Sequence, residues 1–451
     1  MALILFIRGR LSAFFQNLGT LTLLLILFPF NLLLVLPTFL LNLVKKPFQQ
    51  RVVNNNPQTI LLTGGKMTKA LQLARSFHNA GHQVILVETH KYWLSGHRFS
   101  RSVNKFYTVT KPEPNPEEYC QDLLAIVKKE NVDVFIPVSS PVASYYDSLA
   151  KQALSPHCEV IHFDAETTKM LDNKYAFCSK AREIGLSAPK VFYITDPEQV
   201  INFDFKNDGS QYILKSIPYD SVRRLDLTKL PFSGMKNYVK QLPINQEKPW
   251  VMQEFIRGKE YCTHSTARKG KIRLHCCSES SPFQVNYEQI DNPEIYAWVK
   301  KFVEELNLTG QISIDFLQAE DGTVYPVECN PRIHSAITMF HDHPGVANAY
   351  LADAQSEDEA PIEPLTESKP TYWLYHELWR LLNIRSREEL KTWSEKITQG
   401  TDAMFTAEDP LPFLMVHHWQ IPLLLLQNLL KLKGWIRIDF NIGKLVELGG
   451  D

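Results

Sequence analysis

The sequence predicts an α/β unit followed by an α+β unit, both behind an apolar helix. Three observations predict it. Residues 60–87 run strand, glycine turn, amphipathic helix and strand again, the β-α-β pattern of a parallel sheet. Residues 311–330 hold two alternating runs around Asp321-Gly322, the pattern of an antiparallel hairpin. Residues 11–44 contain no charged side chain.

At 451 residues the chain has room for several domains and an ample core. A formal net charge of -1 gives no global bias toward nucleic acid, and none is expected as a partner. Seven cysteines, an odd number with no C-x-x-C spacing, argue against a disulfide framework or a structural zinc site and for a reducing compartment.

Residues 1–50 form the first segment. Its apolar run exceeds the roughly 20 residues that cross a bilayer core. Arg8 and Arg10 precede the run, and Lys45, Lys46 and Arg51 follow it, so flanking charge does not choose an orientation. Pro29 and Pro37 allow a bend or a re-entrant path. The expectation is a membrane-associated segment; the alternative is a buried helix of the soluble part.

Residues 51–160 read as a Rossmann-like domain. Ile60–Leu62 is a strand and Gly64-Gly65 a tight turn. Met67, Ala70, Leu71, Ala74 and Phe77 recur at the helical period, Gly81 stops the helix, and Val84–Val87 is the next strand. A helix over Glu117–Glu130 precedes another strand in "VDVFIPV". "TGGK" lacks the spacing of either glycine-rich phosphate motif, so it reads as a strand-to-helix turn.

Residues 161–350 read as α+β. One helix runs to Ile184 and stops at Gly185, and "QYILKSI", "WVMQEFI" and "QISIDFL" are strands. Residues 351–451 open with an acidic, proline-bearing linker, "ADAQSEDEAPIEPLTESKP". A helical region with "YWLYHELWRLL" and "IPLLLLQNLLKL" follows; the latter is core or interfacial.

The chemistry is concentrated in "YPVECNPR". Alternation puts Glu328, Asn330 and Arg332 on one face of a strand. A two-residue turn at Asp321-Gly322 sets Asp315 opposite Glu328 and Ser313 opposite Asn330. Facing carboxylates, with Cβ atoms about 4.5–5.5 Å apart, repel unless a cation lies between them. Oxygen ligands without thiolate or imidazole suit Mg²⁺, whose other ligands come from phosphate and water, and that implies a nucleotide. Arg332 suits an anionic substrate or a transferring phosphoryl group. Lys215 is a lone lysine in an apolar strand and needs an anion. Gln253, Glu254, Phe255 and Ile256 offer polar edges and apolar faces for an adenine, and Glu260 offers a ribose acceptor. Lys174 lies near a helix start. His334, directly after Arg332, is expected beside the chemistry, as a carboxylate contact or a base. His341 and His343 read as loop histidines, with zinc binding through H-x-H as the alternative. His417 and His418 read as core histidines.

In this order and spacing the segments resemble the ATP-grasp superfamily over about residues 55–350: lysine, strand lysine, Q-E-x-x-x-G-x-E, then D…E-x-N. The resemblance implies an ATP-grasp fold behind a Rossmann-like pre-ATP-grasp domain. It places Lys174 and Lys215 on the ATP phosphates, and Gln253, Glu254, Phe255 and Ile256 at adenine. Glu260 falls on ribose, and Asp315, Glu328 and Asn330 on Mg²⁺, with a second ion and Mn²⁺ substitution allowed. Lys215 and Arg332 become the catalytic pair, Arg332 stabilising a phosphorylated intermediate. Arg223 and Arg224, in "PYDSVRRLDL", would close over the phosphates, although that loop lacks glycine-rich character. The apolar N-terminus, "LLTGGKMTKALQLAR", "VECNPRIHSA" and "DPLPFLMVHHWQIPLLLL" resemble one cyanobacterial branch of the superfamily. Those ligases join glycine to the cyclohexenone 4-deoxygadusol and form mycosporine-glycine, a UV sunscreen. The resemblance implies an ADP-forming carbon–nitrogen ligase with a cytoplasmic, membrane-attached catalytic part. The rivals are an ATP-grasp ligase that couples a carboxylate to an amine, and a non-catalytic nucleotide-binding protein on a membrane.

Overall fold

The computed structural model describes residues 2–45, 54–138, 140, 143–218, 220, 223, 226–280, 286–352 and 359–447. The chain opens with α1 (Ala2–Lys45), which runs unbroken through Pro29 and Pro37.

A five-stranded parallel sheet follows, in the order β3-β2-β1-β4-β5. Its strands are β1 (Thr59–Leu62), β2 (Gln83–Thr89), β3 (Lys105–Val109), β4 (Val134–Ile136) and β5 (Glu159–Val160). Helices α2 (Thr68–Asn79), α3 (Pro116–Glu130) and α4 (Ala143–Leu154) connect them. β1 is central, and Ile60, Leu61 and Leu62 are buried on both faces, as a doubly covered parallel strand requires. Gly64 has φ +67, and a Cβ there would fall 2.0 Å from the Val138 carbonyl oxygen, so only glycine makes this turn.

The helix expected to run unbroken to Ile184 is two: α5 (Ala165–Asp172) and α6 (Lys174–Glu183). Asn173 divides them because its side chain accepts from the amides of Tyr175 and Ala176 and caps a new helix. A three-stranded antiparallel sheet, order β6-β8-β7, comprises β6 (Val191–Ile194), β7 (Tyr212–Ser216) and β8 (Trp250–Glu254). A four-stranded antiparallel sheet, order β10-β9-β11-β12, comprises β9 (Lys259–Arg268), β10 (Lys271–Glu279), β11 (Gly310–Gln318) and β12 (Val324–Asn330). Helix α7 (Pro293–Glu305) and α6 cover one face of it, where Trp298, Phe302 and Phe177 pack with Ile314 and Phe316. The alternate residues Ser313 and Asp315 face the other way.

The C-terminal part departs from the linker-and-helix expectation. Residues 353–358 of the acidic stretch lie outside the described residues. Beyond them, the amide of Ile362 donates to the Arg273 carbonyl at 3.0 Å, and the amide of His275 donates to the Ile362 carbonyl at 2.9 Å. β10 is a sheet edge with unpaired backbone groups, and this segment satisfies them. Trp373, Phe413, Ile421 and Leu425 then join the same core as Ile60, Leu71 and Ile337. A helical run from Leu411, with a π turn at Val416–Gln420, leads into α8 (Ile421–Leu430), which lies between this core and α1. All seven cysteines are free thiols.

Candidate active site

The ribbon of β11 and β12 places Asp315 directly opposite Glu328 and Ser313 opposite Asn330. The route to that register differs from the expected one. The turn has three residues, Glu320 to Gly322: the Ala319 amide donates to the Thr323 carbonyl at 2.9 Å, and only Gly322 has positive φ, +85. Near the turn, Gln318 therefore pairs with Val324, one residue off the expected register. A bulge at Val327 adds the residue back. The Val327 carbonyl, freed by the bulge, accepts from Gln253 Nε2 at 3.0 Å. The buried amide of Gln253 thus ties the small sheet to the ribbon.

Three cations converge on the carboxylates. Lys174, the first residue of α6, sets Nζ 3.1 Å from Glu328. Loss of water opposes the charge on Lys174, but Glu328 outweighs it and raises its pKa. The same lysine, followed by Lys215, holds the Glu328 carboxyl well below its usual range. Lys215, on β7, is lowered by burial, while Glu328 and Asp315 pull its charge back up. Asp315 goes the other way: burial, then the charge of Glu328, raises it far above an ordinary aspartate. Arg332 Nη2 donates to Asn330 Oδ1, and its field reaches Asp315 and Glu328. Arg332 Nη1 and Ser313 Oγ are buried and have no hydrogen-bond partner among the described residues.

The remaining predicted residues are placed as follows. Glu260, on β9, is raised by burial, with Lys215 acting against that shift, so it borders the same field. The Glu254 carboxylate accepts from the Lys190 amide at 3.0 Å and from Ser210 Oγ at 3.1 Å, so its side chain is spent on the fold. The Phe255 amide donates to the Gln211 carbonyl at 2.7 Å, and its ring lies 3.9 Å from Lys229 Nζ. Ile256 lies in the loop that follows β8, half-buried. Arg223 pairs with Asp220 at 3.5 Å, and Arg224 lies outside the described residues. His334 caps the turn of Ser335–Phe340 by accepting from the Ala336 amide at 3.3 Å. Burial, then Lys69, pushes it down to about 3, which leaves it neutral and a poor base. His343 Nδ1 accepts from the Gly345 amide at 2.9 Å and serves its own loop, and His341 Nε2 lies 3.3 Å from the Lys369 carbonyl, a contact to a distant segment. His417 is a core histidine, stacked 3.9 Å from the Tyr375 ring.

Two residues escaped the sequence reading. Lys69 Nζ donates to the Ile333 carbonyl at 2.8 Å, and burial, then Arg332, pushes it down to about 7. Asp172 is a charge neighbour of Arg332 and Lys174. Its only signal was position, two residues before Lys174. Ser144 Oγ, donating to the Pro331 carbonyl at 2.6 Å, joins Lys69 in fixing the strand end to the parallel-sheet half.

The donor set fits Mg²⁺ with a nucleotide. Two carboxylates in forced proximity, one of them raised by burial and then by its neighbour, are an arrangement that a divalent cation would stabilise. Among the described residues no three His, Cys, Asp or Glu side chains form a metal cluster, so phosphate and water would complete the shell. A separate cavity of about 690 Å³ opens at the carboxyl ends of the parallel strands, lined by Lys66, Glu88, Lys91, Tyr92 and Lys444 among others. It does not contain the carboxylate ribbon.

Residues 172–336 match the family described as the ATP-grasp domain. No curated protein matches the chain. Solved structures do. One is an ADP complex of an N5-carboxyaminoimidazole ribonucleotide synthetase: 14% identity, TM-score 0.55, covering 78% of this chain and 100% of that one. A second is the N5-carboxyaminoimidazole synthetase of Staphylococcus aureus with ADP: 13% identity, TM-score 0.52, covering 70% and 82%. A third is biotin carboxylase of Campylobacter jejuni: 14% identity, TM-score 0.52, covering 66% and 73%. These likenesses show a shared fold. Residues 172–336 of this chain are an ATP-grasp domain.

Proposed function

We propose that this protein is an ATP-dependent, ADP-forming carbon–nitrogen ligase. One observation carries the reading: Asp315 faces Glu328 across a ribbon into which Lys174, Lys215 and Arg332 direct positive charge. Mg²⁺ held by Asp315, Glu328 and Asn330 would neutralise phosphate oxygens. Lys174 and Lys215 orient the triphosphate, Glu260 receives the ribose, and backbone groups near Ile256 meet the adenine edge. The γ-phosphoryl group passes to an acceptor oxygen. Arg332 Nη1, buried and without a hydrogen-bond partner among the described residues, then holds the phosphorylated acceptor. The amine bonds to the activated carbon, the carbon–oxygen bond to phosphate breaks, and the amine releases a proton. Neutral His334 positions the loop after Arg332 and leaves base duty to another group.

The acceptor we favour is 4-deoxygadusol and the amine glycine, giving mycosporine-glycine, ADP and phosphate. The support is the sequence resemblance in "VECNPRIHSA" and "DPLPFLMVHHWQIPLLLL". ATP use assigns the catalytic part to the cytosol. Incubating the protein with Mg²⁺, ATP, glycine and 4-deoxygadusol, while following near-ultraviolet absorption and ADP release, tests both levels. Enaminone absorption with stoichiometric ADP is expected. ADP release only with a carboxylate plus an amine would replace the cyclohexenone with an amide-forming reaction. ATP binding without turnover on either set would overturn the ligase reading.

A further inference from the structure

The N-terminal helix is the outermost layer of the molecule, and its two faces differ. One face buries Ala13, Asn17, Leu24, Asn31 and Val35. Asn17 donates to the Lys433 carbonyl at 3.0 Å and Gln16 to the Trp435 carbonyl at 2.9 Å. Asn31 reaches the Tyr375 hydroxyl and His418, and Asn42 donates to the Ala407 carbonyl. These partners are themselves rooted in the body. Gln420 accepts from the Gly96 amide and donates to the Gly443 carbonyl, each at 2.7 Å, and Arg75 pairs with Asp409 at 2.9 Å. The helix is therefore tied lengthwise from residue 16 to residue 42, about 39 Å at a rise of roughly 1.5 Å per residue.

The opposite face is apolar and turned outward: Phe15 is 65%, Phe30 66% and Leu33 73% exposed. Beside its N-terminal part, the end of α8 and the segment after it add Leu430, 85% exposed, and Ile436, 56% exposed. Exposed Lys431 is interleaved with them, as are Lys433 and Arg437, which pair with Glu447 and Asp439. By length and composition α1 could cross a bilayer, so its orientation follows from what holds its other face: a bare apolar face kept lengthwise against the body, with Lys431 beside its N-terminal part, meets acyl chains and anionic headgroups together.

We propose that α1 binds the surface of an anionic phospholipid bilayer while lying in its plane. The catalytic body is then held against one leaflet, and the helix does not cross. Crossing would put the two ends of α1 on opposite sides of about 30 Å of hydrocarbon. The contacts at residues 16 and 42 hold both ends to the same body. Crossing would also strip Asn17 and Asn31 of their partners in a solvent that offers none.

A cross-link tests this. A Cβ on Gly434 would lie 3.6 Å from the Ala13 Cβ, inside the roughly 3.5–4.5 Å range of a disulfide. The full chain carrying Ala13→Cys and Gly434→Cys, oxidised, cannot send α1 across a membrane. Flotation with phosphatidylcholine–phosphatidylglycerol vesicles should be equal for oxidised and reduced forms, within about twofold, and about tenfold weaker with phosphatidylcholine alone. A tenfold loss on oxidation would show that α1 must leave the body to bind, and would overturn the proposal. In a second arm, Ile26→Glu, Phe30→Glu and Leu33→Glu, together on the exposed face, should abolish flotation while the melting profile stays cooperative. Undiminished flotation of that variant overturns the assignment of this face to lipid. Absence of flotation by the parent chain together with a dimer in light scattering overturns it in favour of a second copy. None of these readouts depends on ligase activity.

Discussion

Two lysine–glutamate pairs sit where a helix begins, one in each half of the molecule. In the parallel-sheet half, Lys66, just before α2, meets Glu88 at 3.0 Å with side chains 11% and 4% exposed. In the ATP-grasp half, Lys174, the first residue of α6, meets Glu328 at 3.1 Å with side chains 22% and 33% exposed. The distances are alike and the surroundings are not. Glu88 also accepts from the Lys66 amide at 3.2 Å, the Thr89 amide at 2.9 Å and Thr89 Oγ1 at 3.2 Å, so its acceptor capacity is filled locally. Beside Glu328 stands a second carboxylate, Asp315, with Ser313 Oγ and Arg332 Nη1 unpartnered among the described residues. A buried lysine–glutamate pair does not by itself mark a site. What sets the second pair apart is a facing carboxylate together with donors free to meet a ligand, because a buried polar group left unpaired is costly.

Exchanging amide for carboxylate on each side tests the comparison most severely. Glu328→Gln should lower kcat by at least about a hundredfold, through loss of charge neutralisation at the phosphates, with little change in melting temperature. Glu88→Gln should do the reverse, costing about 3 kcal/mol of stability by stranding a buried lysine while the Mg²⁺ dependence of turnover persists. A Glu88→Gln protein that folds normally and loses its Mg²⁺ response would break the distinction.

The pH response sharpens it. Asp315 is held above the ordinary carboxylate range in the folded protein, so it binds a proton more tightly there than in the unfolded chain. Its contribution to ligand-free stability is present below the ordinary aspartate value and is lost as pH climbs through the raised one. Mg²⁺ must displace that proton, so its affinity should strengthen with rising pH, by up to about tenfold per unit. Calorimetry in buffers of different ionisation enthalpy should show net proton release on binding, and a pH-independent Mg²⁺ affinity would contradict this account. The smallest effect is expected from Ser313→Ala. Its hydroxyl has no hydrogen-bond partner among the described residues, so stability should stay within about 0.5 kcal/mol while the KM for MgATP rises a few-fold.

Much of the site was legible because it rests on short-range periodicity. Glu328, Asn330 and Arg332 share a strand, and strand alternation is local. The pairing of Asp315 with Glu328 was read correctly through an incorrect turn: a three-residue loop displaced the register by one, and the bulge at Val327 restored it. Neither departure has a local signature, because the bulge is stabilised by Gln253 from another sheet. The same long-range bond holds the Gln253 amide at the ribbon, and Ser210 with the Lys190 amide engages the Glu254 carboxylate, partners that no local pattern indicates. Lys69 and Asp172 were missed because each reaches the site from a different element, at a separation no periodicity encodes.

Local sequence alone was enough for the β-α-β half, the strand alternation that carries Glu328, Asn330 and Arg332, and the uncharged character of α1. Each depends on hydrophobic period, turn chemistry or capping within about a dozen residues. Only the tertiary structure decided which polar groups remain unsatisfied, where the C-terminal segment closes the sheet edge, and which face of α1 is left bare. Those outcomes depend on contacts between distant segments, whose partners are chosen by packing and by the need to satisfy buried backbone and side-chain groups.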